Sequence, residues 1–157
     1  GGTKDAVLSH TFSSKTLQTY KLNGEFAGEL AIDAAYAGAH GVPVLFCASD
    51  DKCVAEARRT FGPIATVEAK RSLSWNSAIS RHPAAVCKDI YRTVLEAAQK
   101  GASAAPFTLP SPLPVEIRFP RADLAAQARL TDKDGKPFAF TDAFTRVGVV
   151  QSVLDLF

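Results

Sequence analysis

Hydrophobic positions along the chain alternate between two periods, which predict strands and helices in turn. Residues 42–48 form a continuous apolar run with β-branched members, typical of a strand buried on both faces in a parallel sheet. A helix over 51–60 and a strand over 65–69 follow, and an amphipathic helix runs from 83 to about 100. This order predicts an α/β fold, a layered sheet with flanking helices.

One predicted helix, over residues 25–39, carries no polar face. Its apolar stripe includes Phe26 and Leu30, and the opposite face holds only small residues. Glu29 and Asp33 fall inside the stripe. A helix that is apolar all round is expected to be buried, and a buried carboxylate must be paired, protonated or bound to a metal. A salt bridge and metal ligation both remain open for Glu29 and Asp33.

The second part of the chain has a different composition. Four prolines make residues 103–114 a stiff connector. Beyond it the pattern predicts a strand over 115–119, a helix over 123–130, a strand over 138–140 and a last helix from about 141, with Phe144, Val147, Val150, Leu154 and Phe157 inward. We therefore expect an α/β layer over 1–102, a connector over 103–114 and a smaller α+β lobe over 115–157.

Charge and cysteine content narrow the class of function. The formal net charge of +2 over 157 residues is too small to imply nucleic acid or an anionic membrane as a partner. The cysteines, Cys47, Cys53 and Cys87, are odd in number and lack C-x-x-C spacing. We interpret all three as reduced core residues in apolar settings, which predicts a cytoplasmic protein and argues against Cys–His catalysis.

Few polar residues are candidates for chemistry. His10 lies in a small, hydroxyl-rich segment, where a structural role and a functional one both remain open. Asp50 and Asp51 follow the strand predicted over 42–48, at the edge where ligands bind in α/β sheets, although helix capping explains them equally well. Lys70 would reach the same edge, as a surface charge or as an anchor for a substrate carboxylate.

Several short motifs follow one another at characteristic spacing over about the first 60 residues. They are Leu8-Ser9-His10-Thr11-Phe12-Ser13, Asn23-Gly24, Gly28-Glu29-Leu30, Gly41-Val42-Pro43-Val44 and Ser49-Asp50-Asp51. In their order and spacing these motifs resemble the D-aminopeptidase family of zinc metallopeptidases associated with dipeptide-transport operons.

The resemblance implies a function for this chain. Members of the family hydrolyse short peptides, preferably with D-residues at the amino end, at a two-zinc site inside a ring-shaped decamer. It implies that Glu29 is a zinc ligand, that His10 is the catalytic histidine, and that Asn23 shapes the approach to the ligand-bearing helix. Asp33, Asp50, Asp51 and Lys70 are then candidates for supporting the site or contacting the substrate.

The family's Asp-x-Glu motif and its further histidine ligands are missing from the sequence. Because each zinc needs about four donors, we expect this chain to be the C-terminal portion of such an enzyme. Alone it should bind zinc poorly and be inactive, and a separate N-terminal partner chain could complete it. The alternatives are a non-catalytic α/β oligomerisation module and a small-ligand-binding domain that uses Asp50, Asp51 and Lys70.

Overall fold

A computed structural model describes residues 3–101 and 104–156 of the chain. This part of the chain forms two β-sheets and four α-helices, which confirms the α/β class. In chain order the elements are β1 (Thr19–Leu22), β2 (Glu25–Ala27), α1 (Glu29–Ala39), β3 (Phe46–Asp50), α2 (Asp51–Phe61), β4 (Ala65–Ser74), β5 (Ser77–Ser80), α3 (Pro83–Lys100), β6 (Leu113–Arg118), α4 (Ala122–Gln127), β7 (Ala139–Asp142), β8 (Thr145–Val150) and a 3₁₀ turn (Val153–Leu156).

The larger sheet joins segments that are far apart in the chain. Its order is β2-β1-β6-β8-β7, and every neighbouring pair is antiparallel. Alternate residues of β6 are buried, so one face of the sheet carries the core, on which α1 and α4 pack. The core includes Leu22, Ile32, Leu113, Ile117, Ala125 and Val150.

β1 and β2, which fall in the predicted layer 1–102, thus belong to the same sheet as strands of the predicted lobe 115–157. The two predicted units share a sheet because hydrogen bonding between β1 and β6 connects them. The boundary between 102 and 103 lies outside the described residues. The division into 1–102, 103–114 and 115–157 therefore stays a prediction.

The smaller sheet has the order β3-β4-β5 and contains the βαβ unit that the sequence predicted. β3 and β4 are parallel, with α2 between them along the chain, whereas β5 returns antiparallel to β4. The strand predicted over 42–48 begins only at Phe46, and Val42 is 54% exposed. The expectation of burial on both faces is wrong, because Ala48 in the middle of β3 is exposed while its neighbour Cys47 is buried.

The helix predicted over 25–39 begins four residues late. Asn23 and Gly24 have φ values of 52° and 84°, and two successive left-handed residues make the tight turn of a β-hairpin. The chain leaves that turn as β2, and Phe26 is 71% exposed rather than buried. Asp33 is also exposed, because the buried face of α1 is the opposite one, formed by small residues and Ile32.

Close packing explains why that face is small. A Cβ added to Gly38 would lie 1.9 Å from the backbone oxygen of Phe107, which crosses α1 at this point. No side chain larger than hydrogen fits at that distance, so the small residues accommodate the segment between α3 and β6. The expectation that Glu29 and Asp33 share a buried apolar stripe is wrong for Asp33, while Glu29 is half-buried.

The last helix predicted from the sequence is also absent from residues 139–150, which form the β7–β8 hairpin. Asp142 Oδ1 accepts a hydrogen bond of 2.7 Å from the backbone N–H of Phe144 and fixes the turn. β-branched residues in β8 favour the strand, and its pairing with β6 satisfies the backbone. Phe157, expected to face inward, lies outside the described residues.

Within the described residues, no helix combines the length and apolar character that spanning a membrane requires.

Candidate active site

A cavity of about 320 Å³ lies where the segment before β1 meets α1, β3 and α2. His10, Glu29 and Asp50 all line this cavity, although they come from three separate parts of the chain. The structure therefore brings together three residues that the sequence selected. Further lining residues are Thr3, Ala6, Val7, Leu8, Ser9, Leu30, Ser49, Lys52, Cys53 and Glu56.

The segment that carries His10 follows an unusual backbone path. Leu8 and Phe12 have φ values of 50° and 53°, a region that bulky residues adopt only when their surroundings hold them there. One hydrogen bond of 2.6 Å joins the backbone N–H of Leu8 to the carbonyl oxygen of Trp75. Another, of 2.8 Å, joins the backbone N–H of Phe12 to Oε2 of Glu29. These two contacts hold the loop on either side of His10.

The ring orientation of His10 follows from its contact with the backbone. Nδ1 lies 2.6 Å from the carbonyl oxygen of Leu8. Because a carbonyl oxygen can only accept, Nδ1 carries the hydrogen in this contact. In neutral His10, Nε2 is then the acceptor nitrogen, the form that a proton-accepting histidine needs.

Glu29 is the first residue of α1. Gly28 precedes it as the N-cap and has no side chain to cap the helix, so the acidic side chain in the first turn interacts favourably with the helix dipole. Oε2 is used by Phe12, whereas Oε1 has no hydrogen bond among the described residues. One carboxylate thus anchors the His10 loop and keeps an oxygen for another contact.

Asp50 and Asp51 have separate tasks at the junction of β3 and α2. Asp50 is buried, and its Oδ1 caps α2 by accepting a 2.7 Å hydrogen bond from the backbone N–H of Cys53. Asp51 Oδ1 accepts a 2.7 Å hydrogen bond from the backbone N–H of Ser72, and Oδ2 lies 3.3 Å from Nζ of Lys52. The hydrogen bond from Ser72 is the main reason that the pKa of Asp51 is lowered.

The other residues that the sequence selected do not line the cavity. Lys70 lies opposite Asp50 in the β3–β4 register. Asn23 is exposed in the hairpin turn between β1 and β2. The pKa of Asp33 is raised, first by partial desolvation and then by the negative charge of Glu29. Asp33 therefore interacts electrostatically with Glu29 although it does not line the cavity.

The sequence analysis missed Cys53 as a cavity residue. Cys53 is half-buried in the first turn of α2, and its pKa is lowered to about 6, mainly by a hydrogen bond with the thiol of Cys47 and also by one with Ser49. The expectation of three core cysteines in apolar settings is wrong for Cys53 and for Cys87, which is exposed on α3. The available signal was the position of Cys53 three residues after a capping Asp.

Zinc is the metal that the family resemblance implies for this site. Across residues 3–101 and 104–156, no group of three or more His, Cys, Asp or Glu side chains is arranged to bind a metal ion. A zinc site in a protein uses three or four such ligands. The donors in the described part of the chain therefore do not fit a complete zinc site.

The family model for D-aminopeptidase matches residues 1–137. The chain belongs to the D-aminopeptidase family. A D-aminopeptidase of Bacillus subtilis (strain 168) is 28% identical over 124 residues, which are 79% of this chain and 45% of that protein. The chain described here therefore spans about half the length of the Bacillus subtilis protein.

A solved structure supports the same assignment. The fold is similar to that of the Zn-dependent D-aminopeptidase DppA from Bacillus subtilis, a self-compartmentalizing protease, with a TM-score of 0.85 and 25% identity. The match covers 98% of this D-aminopeptidase family chain and 54% of the DppA chain. The fold described above is therefore the family's fold. It corresponds to about half of the DppA chain.

Proposed function

We propose that this chain is the C-terminal portion of a zinc-dependent aminopeptidase that hydrolyses short peptides with D-residues at the amino end. The observation that carries the proposal is the shared cavity of His10 and Glu29 in a chain of the D-aminopeptidase family. Glu29 serves as a metal ligand in this proposal. The remaining ligands of a two-zinc site come from outside the described residues, since those residues hold no metal-binding group of three donors.

His10 is the catalytic residue in this proposal. Its Nδ1–H is directed to the carbonyl oxygen of Leu8, so Nε2 is left to exchange a proton with the reacting groups. A neutral Nε2 can take a proton from the attacking water and return it to the leaving amine. The hydrogen bond between Phe12 and Glu29 holds the His10 loop next to the proposed metal ligand.

The other candidate residues have supporting parts in the proposal. Asp50 faces the cavity and is placed to contact a bound peptide while it caps α2. Asp51 and Lys70 shape the edge of the smaller sheet through Ser72 and the β3–β4 register. Asn23 holds the hairpin that precedes α1, and Asp33 adds negative charge near Glu29. A location in the cytoplasm is consistent with the three free thiols.

We also propose that the chain assembles as a homo-oligomer, a decamer by its resemblance to the family, through the outer face of α3. Val86 and Ile90 lie half-buried, whereas Tyr91 is 73% and Leu95 48% exposed. The helix therefore carries a second apolar face that nothing covers among the described residues. The self-compartmentalizing character of DppA supports an assembly of copies as the cover.

The test is to express the protein from its complete gene and isolate it with any polypeptide that co-purifies. We expect zinc in the intact assembly and hydrolysis of D-alanyl dipeptides in preference to their L-counterparts. Glu29→Ala should lose zinc, measured by mass spectrometry, and His10→Ala should keep zinc but lose hydrolysis. An intact assembly with neither zinc nor hydrolysis would contradict the proposal and favour a non-catalytic module.

A further inference from the structure

Three hydrogen bonds join the end of β4 to the segment just before the proposed catalytic histidine. Oγ of Ser72 accepts a hydrogen bond of 3.2 Å from the backbone N–H of Val7. The carbonyl oxygen of Trp75 accepts one of 2.6 Å from the backbone N–H of Leu8. In the opposite direction, the indole N–H of Trp75 donates to the carbonyl oxygen of Ser9 across 3.4 Å. Three successive residues of the loop are therefore bound to β4 and to the turn that follows it.

We propose that Ser72 and Trp75 are positioning residues for His10. They hold the backbone that precedes the histidine, and through it they keep the ring turned so that Nε2 is free for proton transfer. This proposal rests on the proposed function, since it is catalysis by His10 that requires the orientation. Neither Ser72 nor Trp75 lines the cavity, so each acts through the loop rather than on a bound peptide.

The backbone conformation of Leu8 explains why the loop needs this support. Its φ of 50° is one that a leucine adopts only when its surroundings hold it there. The Leu8 side chain is 56% exposed, so burial contributes little to holding it. The hydroxyl of Ser9 gives no support either, since its Oγ is buried without a hydrogen bond among the described residues. The hydrogen bonds from the end of β4 are therefore the contacts that keep Leu8 in this conformation.

The carbonyl oxygen of Leu8 connects this support to the ring of His10. It lies 2.6 Å from Nδ1, which carries the hydrogen in that contact. When Leu8 relaxes to a negative φ, its carbonyl oxygen moves relative to the ring and the contact is lost. Because that hydrogen bond sets the tautomer, its loss allows the form with the hydrogen on Nε2, which cannot accept a proton.

Ser72 and Trp75 differ in how firmly they are held. Ser72 is buried, and its backbone N–H donates a hydrogen bond of 2.7 Å to Oδ1 of Asp51 in the first turn of α2. Its hydroxyl is thus a fixed acceptor between a helix and the loop. The Trp75 side chain is 59% exposed, and its indole contact is longer than an ordinary N–H···O hydrogen bond. We therefore expect Ser72 to have the larger effect on His10.

The first experiment determines the tautomer of His10 in the full chain from the ¹⁵N chemical shifts of the ring, at about pH 8.5, above the usual histidine pKa. We expect the unaltered chain to carry the hydrogen on Nδ1. Ser72→Ala should shift the ring signals toward those of the Nε2–H form. Trp75→Phe keeps an aromatic ring and removes only the indole donor, so it should shift them in the same direction by less.

Ser74→Ala is the matched control for Ser72→Ala. It makes the same change two residues further along β4, and it removes a hydrogen bond of 3.1 Å to Oδ1 of Asn76 that does not involve the His10 loop. Its ring signals should equal those of the unaltered chain. The proposal is overturned by an Nε2–H tautomer in the unaltered chain, by an unchanged tautomer in both Ser72→Ala and Trp75→Phe, or by an equal shift in the control.

The second experiment measures hydrolysis of D-alanyl dipeptides by the complete enzyme. Ser72→Ala should lower kcat about tenfold while KM stays within about twofold and the zinc content is unchanged, because proton transfer is affected and binding is not. A rise in KM with kcat unchanged would overturn the proposal. If the unaltered enzyme neither binds zinc nor hydrolyses peptides, the proposed function fails, and the tautomer measurement still decides whether Ser72 and Trp75 position the ring of His10.

Discussion

Phe12 and Glu29 are joined by a hydrogen bond of 2.8 Å, from the backbone N–H of Phe12 to Oε2 of Glu29, across 17 positions of the chain. The bond links the positive-φ segment that carries His10 to the first turn of α1. Two residues that the sequence selected for chemistry, His10 and Glu29, are therefore positioned by a contact that also stabilises the fold. We therefore expect a change at Glu29 to affect the stability of the fold as well as the site.

Glu29→Ala should lower the free energy of unfolding by about 1–2 kcal/mol, since it leaves a half-buried backbone N–H without its charged acceptor. Glu29→Gln keeps an oxygen that can accept from Phe12 and should retain most of that stability. Urea denaturation measures both. Equal losses in the two variants would mean that the negative charge, rather than the hydrogen bond, stabilises the loop.

His10→Ala should leave the fold nearly unchanged, within about 0.5 kcal/mol, because the side chain is exposed and its one hydrogen bond among the described residues is to the nearby carbonyl of Leu8. In the complete enzyme, hydrolysis of D-alanyl dipeptides should fall by about 10²–10⁴ if Nε2 transfers the proton. Peptidase rates and zinc content are measured on the same preparation. Unchanged hydrolysis with zinc retained would exclude His10 from catalysis.

Leu95→Lys should shift the protein toward smaller species, because it places a charge on the exposed apolar face of α3. Glu96→Lys introduces the same side chain one residue further along, away from Tyr91 and Leu95, and serves as the control. Light scattering coupled to size exclusion measures the mass. If both variants keep the oligomer of the unaltered chain, this face of α3 is not the contact.

Arg146→Ala should cost about 2–4 kcal/mol of folding free energy. The Arg146 guanidinium is buried, donates hydrogen bonds of 2.8 Å and 2.9 Å to the carbonyl oxygens of Phe138 and Ala125, and lies 4.3 Å from the ring centroid of Phe140. Chemical denaturation tests this, with Arg121→Ala as the control, whose exposed partner is Asp123. A loss no greater than that of the control would contradict a stabilising role for Arg146.

Lowering the pH should remove the contribution that the Asp51 carboxylate makes to the stability of the fold. Folding lowers its pKa below the usual 3.8, so its stabilisation is present above that value and is lost as the pH falls through the lower folded-state pKa. Asp51→Asn should therefore lower the Tm at pH 7, and the difference from the unaltered chain should shrink below pH 4. Thermal melts across this range measure it, with Glu25→Gln on exposed β2 as the control. A difference that does not change with pH would exclude the ionic contribution.

Local patterns predicted some elements well. The helix from Pro83 to about residue 100 matches α3, and the helix from Asp51 matches α2, because proline at a helix start, a capping Asp and helical periodicity all act between near neighbours. The family resemblance likewise rested on short motifs with fixed spacing. It pointed to His10 and Glu29 before the cavity that they share was known.

What only the tertiary structure decided depends on contacts between distant residues. The pairing of β1 with β6 places residues 19–22 and 113–118 in one sheet. The β7–β8 hairpin forms where the spacing of Phe144, Val147 and Val150 favoured a helix. Periodicity shows that a face is apolar but not what covers it. Hence the outward face of α3, the exposure of Asp33 and the position of Cys53 at the cavity emerged only when the chain was folded.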